Sequence, residues 1–273
     1  METASTARKL TESAVLLAIA TVLSLIKVAD LPYGGSITIA SMLPIILISY
    51  RYGIRWGLLS GLAYAALQQL FGLNTLSYAT SAQAMIAIIL LDYIIAFTIS
   101  GLGGVFRKKL SQPVALVLGA LLVGLLRFIC HFISGATVWA GLSIPNEAAL
   151  LYSLGYNATY MIPETIILMI VAYYLGSVLD FGSLNLRPYR KTDSKTNSVP
   201  VLKWIGGVIL SAALCFDTVM VFSQLQNPET GEFDITGLSN VSWIWVIIIS
   251  ICAVIAGIVI FALSTDKART FEQ

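Results

Sequence analysis

Residues 112–135, QPVALVLGALLVGLLRFICHFISG, decide how the chain is read. The run from 112 to 132 is long enough to cross a hydrocarbon layer, which takes about 20 predominantly apolar residues, yet it carries Arg127 and His131 four positions apart. On a helix that spacing puts both on one face. Lipid offers unpaired polar groups no partner, so a face holding an arginine and the chain's single histidine points toward protein or a hydrated cavity. Ser134, Gly135, Trp139, Tyr152, Tyr156, Asn157, Tyr160, Pro163 and Glu164 follow, bringing aromatics, an amide and a carboxylate into the same region. That is the profile of a pocket for a flat, polar, cationic molecule.

Outward from this run the chain repeats the apolar pattern. With 58% hydrophobic and only 11% charged residues it reads as an all-α polytopic membrane protein, not a soluble domain. Eight apolar segments are predicted, at about 13–30, 38–50, 54–72, 82–105, 112–132, 156–179, 203–223 and 241–263. The second is short for a span and contains Pro44, so it is tilted, broken or enclosed by the bundle. Arg8 and Lys9 precede the first segment, but no small-residue cleavage signal follows, so the first helix is read as retained. Arg8, Lys9, Arg51, Arg55, the basic run from Arg107 to Lys109, Arg187, Arg190, Lys191, Lys195, Lys203, Lys267 and Arg269 fall on one side; only Lys27 and Arg127 fall toward the other. The positive-inside rule then makes both termini cytoplasmic, with loops near 31–37, 73–81, 133–155 and 224–240 outside. Trp56, Trp204, Trp243 and Trp245 lie at predicted helix ends, where an aromatic belt belongs, and Trp139 lies in an outward loop.

The polar stretch 180–200 is the one convincing boundary. It divides a six-helix body, 1–182, from a linker, 183–202, and two further helices, 203–273. No internal repeat of the kind common in secondary transporters is evident. Cys130, Cys215 and Cys252 all sit in apolar segments and suggest neither disulfides nor a metal site. With no phosphate-binding loop, no H-E-x-x-H and a lone histidine, the chain reads as neither nucleotide hydrolase nor metalloenzyme; no cofactor, metal or nucleic acid is expected. Inside the spans stand Asp92, Arg127, Glu164 and Asp217, each costing about 2.5–3.5 kcal/mol at a helix centre unless paired or hydrated. Asn157, Tyr160 and Glu164 form an i, i+3, i+7 stripe, and Tyr64 and Gln68 share a face. The competing reading is a set of polar pairs, such as Arg127 with Glu164, that only hold helices together. Ala14-x-x-x-Ala18 and Gly53-x-x-x-Gly57-x-x-x-Gly61 permit close helix approach. The acidic loop from Gln226 to Asn240 has no calcium-loop spacing and is assigned no role.

Taken together, residues 10 to about 182 resemble the thiamine-specific substrate-binding (S) components of energy-coupling factor transporters. The resemblance rests on Ala14 and Ala18; Gly35-Ser36 through Met42-Leu43-Pro44-Ile45 and Tyr50-Arg51-Tyr52-Gly53; Gly61, Tyr64 and Gln68; Asp92-Tyr93 with Ala96-Phe97 and Gly101 to Gly104; and, most specifically, the series from Cys130-His131 through Trp139, Tyr152, Asn157 and Glu164. It implies a six-helix bundle of a multi-pass bacterial plasma-membrane protein. Its outward cavity would hold thiamine under a lid made by the loop Leu31 to Thr38. Asp92, Tyr93, His131, Trp139, Tyr152, Asn157 and Glu164 would contact the ligand. Ala14 and Ala18 would dock on a transmembrane coupling subunit driven by two cytosolic ATPases. The two C-terminal helices lie outside the resemblance.

The chemistry suits such a ligand independently. A thiazolium cation over Trp139, Tyr152 or Tyr93 gains about 2 kcal/mol when desolvated, an acid at Asp92 or Glu164 adds charge complementarity, and His131 and Asn157 each offer a donor and an acceptor. Two further readings stay open: an S component for another small heteroaromatic, such as a pyrimidine precursor of thiamine, and an ion-coupled secondary transporter using Asp92 and Glu164 as a proton relay.

Overall fold

The computed structural model describes residues 4–31, 35–139, 149–189, 200–225 and 235–270. Eight helical segments answer the eight apolar runs: α1, Thr6–Leu25; α2, Leu43–Tyr52; α3, Ile54–Phe71; α4, Ala82–Leu102; α5, Gln112–Thr137; α6, Ala149–Val178; α7, Pro200–Phe222; and α8, Trp243–Thr270. Among the described residues α4, α5, α6 and Trp243–Ile260 of α8 are long and apolar enough to cross a membrane.

The boundaries differ from the sequence reading in two places that matter for the site. The first helix stops at Leu25, not 30, because Ile26 turns extended and Lys27–Asp30 (β1) pairs antiparallel with Ser36–Thr38 (β2). Residues 32–34, the middle of the predicted lid, lie outside the described residues, as do 190–199 of the linker and 226–234 of the acidic loop. The sixth helix begins at Ala149, a full turn and more before the predicted 156.

The short second helix is enclosed by the bundle. Residues Leu43 to Tyr50 of α2 are all buried, and Ile45, Ile46 and Ile48 are wholly inaccessible, forming the core with Leu116 and Ala120 of α5 and Leu168 and Ala172 of α6. Gly53, at φ +96°, joins α2 to α3 in a single residue, a conformation that side chains with a Cβ avoid. α3 then meets α4 with almost no space between backbones: a Cβ on Gly57 would lie 2.5 Å from Ser49 Cβ and 2.7 Å from the Gly101 carbonyl, and one on Gly101 would lie 2.4 Å from the Gly57 carbonyl carbon. Ser49 Oγ uses this proximity to donate to the Gly101 carbonyl at 2.5 Å and accept from Gly104 N at 3.1 Å.

At the basic end, Glu12 of α1 accepts from Arg8 Nε (2.7 Å), from Arg51 Nη2 (2.8 Å) and from the Tyr52 hydroxyl, while Arg51 also donates to the carbonyls of Phe181, Ser183 and Leu184. The end of α6 is capped by Gln112, whose Nε2 donates to the carbonyls of Gly176 (2.8 Å) and Leu179 (2.5 Å) and whose Oε1 accepts from Phe181 N. Beyond it Leu179–Asp180 (β3) pairs with Arg187–Pro188 (β4). Burial alone would raise the Asp180 carboxyl, but hydrogen bonds from Arg187 and the backbone of Gly182 and Ser183 hold it below its ordinary value, so it is ionised and paired.

The C-terminal pair is joined by Ser250 Oγ donating to Asp217 Oδ2 at 2.5 Å. Trp243 and Trp245 lie exposed at the start of α8, as an aromatic belt requires, and Trp56 donates from Nε1 to Ser13 Oγ at 2.8 Å; the side chain of Trp204 is outside the described residues.

The α3–α4 crossing yields a direct test. Gly57→Ala should lower ligand-free stability by about 1–3 kcal/mol through overpacking, whereas Gly155→Ala, with nothing within 4 Å of the new Cβ, should cost nothing. Thermal unfolding of both variants in detergent reads the difference.

Candidate functional site

Ser24 and Leu25, at the end of α1 opposite Arg8 and Glu12, open onto a cavity of about 260 Å³. Its wall draws on five helices, α1 among them, and the hairpin: Lys27, Gly35, Ser36 and Thr38 from the β1–β2 unit; Gln68 and Phe71 from α3; Asp92, Tyr93 and Phe97 from α4; Arg127, His131 and Gly135 from α5, with Trp139 beyond its end; and Tyr156, Asn157, Tyr160 and Glu164 from α6. The hairpin roofs this space closely, since a Cβ on Gly35 would lie 3.0 Å from the Tyr156 hydroxyl and 3.1 Å from the Tyr160 ring.

Asp92 has three polar partners in the wall. It accepts from Ser134 Oγ (2.7 Å) and Trp139 Nε1 (3.1 Å) on Oδ2 and faces His131 Nδ1 at 3.0 Å on Oδ1. The backbone explains the aim: Ile88–Ile95 is wound as a π-helix, so Asp92 and the adjacent Tyr93 both reach the cavity. Such wider turns are rare and gather at functional sites. Tyr93 Oη lies 3.0 Å from Thr75 Oγ1 and donates to the Gly72 carbonyl at 3.3 Å; any side chain at Gly72 would displace it, its Cβ falling 2.0 Å from that hydroxyl.

The second charged group is an ion pair. Arg127 Nη1 meets Glu164 Oε2 at 3.2 Å with both side chains about 95% buried, and Thr38 Oγ1 of β2 donates to Glu164 Oε1 at 2.7 Å while lying 2.8 Å from Ser41 Oγ. The Arg127 guanidinium also lies over the Phe97 ring at 4.8 Å. On α6, Asn157 Nδ2 donates to the Ser153 carbonyl at 2.9 Å and its Oδ1 accepts from the Tyr160 hydroxyl at 2.7 Å.

Two polar atoms of the wall are buried without any hydrogen-bond partner, His131 Nε2 and Arg127 Nε. His131 Nδ1 faces a carboxylate, so in the neutral ring the proton sits on Nδ1 and Nε2 is an acceptor. A buried acceptor left unpaired costs about 1–3 kcal/mol, and a ligand donor would recover it.

Of the site residues read from sequence, Asp92, Tyr93, His131, Trp139, Asn157 and Glu164 converge on the cavity. Tyr152 does not line it; it packs beside Trp139 and Ile88. Arg127 with Glu164 does form the pair that the competing reading named, and the pair itself is part of the wall. Sequence reasoning placed Thr38 only at the end of the lid loop, without its bond to Glu164, and missed Ser41 and the role of Ser134. Ser134 was accessible, three residues beyond His131 on the same helical face; no local pattern announces Thr38. Among the described residues no cluster of His, Cys, Asp or Glu is placed to hold a metal.

Comparison with known proteins places this geometry in context. The profile of a family described as thiamine transporter protein matches residues 10–180. A curated relative, thiamine transporter ThiT of Bacillus subtilis, is 35% identical over 179 residues, which is 60% of this chain and 87% of the relative. A solved structure of ThiT from Listeria monocytogenes aligns with a TM-score of 0.50 at 24% identity, over 62% of this chain and 92% of that one, a likeness of fold.

The Arg127–Glu164 pair separates architecture from recognition. Glu164→Leu alone leaves an arginine buried without its counter-ion and should cost about 3–5 kcal/mol, whereas Arg127→Met with Glu164→Leu should recover most of it. Apo melting temperatures of the single and double variants check this, and a single variant as stable as the parent would show that the pair holds nothing.

Proposed function

The chain belongs to the thiamine transporter protein family and is a multi-pass membrane uptake component, not an enzyme; from that premise we propose that the cavity binds thiamine through Asp92, Tyr93, His131, Trp139, Asn157 and Glu164. The observation that carries the assignment is His131 Nε2, a buried acceptor without a partner in a wall of aromatic rings, its tautomer set by Asp92. The exocyclic amino group of an aminopyrimidine is the donor it lacks. Tyr93, Phe97, Trp139, Tyr156 and Tyr160 line the same cavity, and a desolvated thiazolium seated over one of these rings would gain about 2 kcal/mol. Asp92 and Glu164 keep the cavity compatible with a cation, because their charges offset Lys27 and Arg127 in the same wall. Tyr152 acts at one remove, supporting Trp139. The β1–β2 unit would be the lid, with Thr38 and Gly35 seating it on α6.

Energy for uptake would come from separate subunits. Ala14 and Ala18 are exposed on α1 beside Leu10, Val15 and Val22, a small-residue face open to another helix. A transmembrane coupling subunit driven by two cytosolic ATPases fits that face, with the network of Glu12 and Arg51 at the cytoplasmic end and the thiamine cavity outside.

Thiamine titrated into purified protein should quench Trp139 emission, and Trp139→Phe should remove the quench. His131→Ala and Asn157→Ala should each weaken binding about tenfold to hundredfold, as expected for one desolvated ligand group left unpaired. Ligand-free stability of His131→Ala should fall by about 1–3 kcal/mol, because Asp92 Oδ1 loses its partner, so affinity is read on the folded protein. Wild-type affinity in both variants would refute the site, and a pyrimidine precursor binding as tightly as thiamine would move the assignment to that ligand.

A separate test addresses coupling. Ala14→Trp with Ala18→Trp should abolish cellular uptake while isolated protein still binds thiamine; undiminished uptake would remove α1 as the docking face.

A further inference from the structure

At the end of the bundle opposite the thiamine cavity, a second recess of about 220 Å³ is lined by Lys9, Tyr50, Arg51, Tyr52, Arg107 and the 181–184 segment. Three cations and no carboxylate line it. The neighbouring acids are already engaged: Glu12 by Arg8, Arg51 and Tyr52, and Asp180 by Arg187 at 3.2 Å. Arg51 is therefore neutralised by Glu12, but Lys9 and Arg107 are not. Lys9 Nζ lies over the Trp56 ring at 5.9 Å, Arg107 Nη1 donates to the Arg51 carbonyl at 3.4 Å, and among the described residues neither makes an ion pair. Two positive charges thus face one recess whose walls include two phenols. The recess stands where the basic residues of the chain gather, at the level of Trp56, which is the depth at which a bilayer presents its phosphates.

We propose that this recess binds a phosphate ester between Lys9 and Arg107, with Tyr50 closing one side, and that the headgroup of an anionic phospholipid in the cytoplasmic leaflet is its natural source. Basic pockets between membrane helices on the cytoplasmic side hold lipid headgroups in this way. An occupied site would brace α1 against the α2–α3 turn and the segment after α4, since Lys9 belongs to α1 and Arg107 follows α4. The site involves none of the residues assigned to thiamine, so its failure and the failure of the thiamine assignment are separate results.

The test uses the full chain in nanodiscs of phosphatidylcholine, into which phosphatidylglycerol is titrated while melting temperature is followed; in a second arm soluble glycerol phosphate is added to phosphatidylcholine discs. Melting temperature should rise saturably with phosphatidylglycerol. Lys9→Gln with Arg107→Gln should shift half-saturation about thirtyfold, from about fivefold per cation, while Lys108→Gln with Lys109→Gln, two cations outside the recess, should leave it in place. Protection by glycerol phosphate as well would identify the phosphate group as sufficient; protection by the lipid alone would make the membrane the source. No protection in either arm, or equal loss in both double variants, overturns the proposal, the second result meaning diffuse surface attraction. If the double variant does not fold, Lys9→Gln alone, which loses only its contact with the Trp56 ring, should show the fivefold shift.

Discussion

A bilayer supplies no water to a charge inside it, so Arg127 and Glu164 have to find each other, and most of the outer half of the molecule follows from how they do. Each ion carries a desolvation penalty of several kcal/mol, and mutual attraction at 3.2 Å does little more than offset it. The pair's contribution is therefore specificity more than stability. Because Glu164 also accepts from Thr38, the same carboxylate locates α5, α6 and the hairpin relative to one another. Together with α1, α3 and α4 these three elements wall the cavity, in which Asp92 and Glu164 offset Lys27 and Arg127.

Asp92 solves the same problem differently. Ser134 Oγ, Trp139 Nε1 and His131 Nδ1 surround it with polar partners in place of an arginine or lysine. The consequence passes to His131: with Nδ1 committed, its other nitrogen is left unsatisfied in the cavity. A wall that holds a deficit of this kind prefers a ligand carrying the missing donor over one that merely fits, since only the former restores about 1–3 kcal/mol.

Much of this was legible in the sequence, for physical reasons that apply unevenly. The longer helices announce themselves through apolar length, because the hydrocarbon layer imposes it. The convergence of Asn157, Tyr160 and Glu164 follows from their spacing on a regular helix, and so does that of Arg127 with His131. The β1–β2 unit is not legible in this way: its strands have four and three residues and rely on their pairing and on α6 beneath them. Nor is the π-winding at Ile88–Ile95, which changes which residues share a face without changing their composition. Tyr152 shows the opposite limit. Its type and position suit a ligand contact, but it packs against Ile88 and Trp139, a contact between separate elements that spacing does not encode.

The short second helix has a consequence for how the protein is made. Ten residues of α2 rise about 15 Å, half of the hydrocarbon thickness, so α2 is no stop-transfer segment by itself. Gly53 reverses the chain immediately into the 18 residues of α3, and Arg51 and Arg55 flank that reversal. The two helices thus form one tight unit with both arginines at its turn. Nearly every side chain of α2 is then shut away by helices synthesised later, Leu116 and Leu168 among them. The burial of α2 is therefore complete only when α5 and α6 are in place.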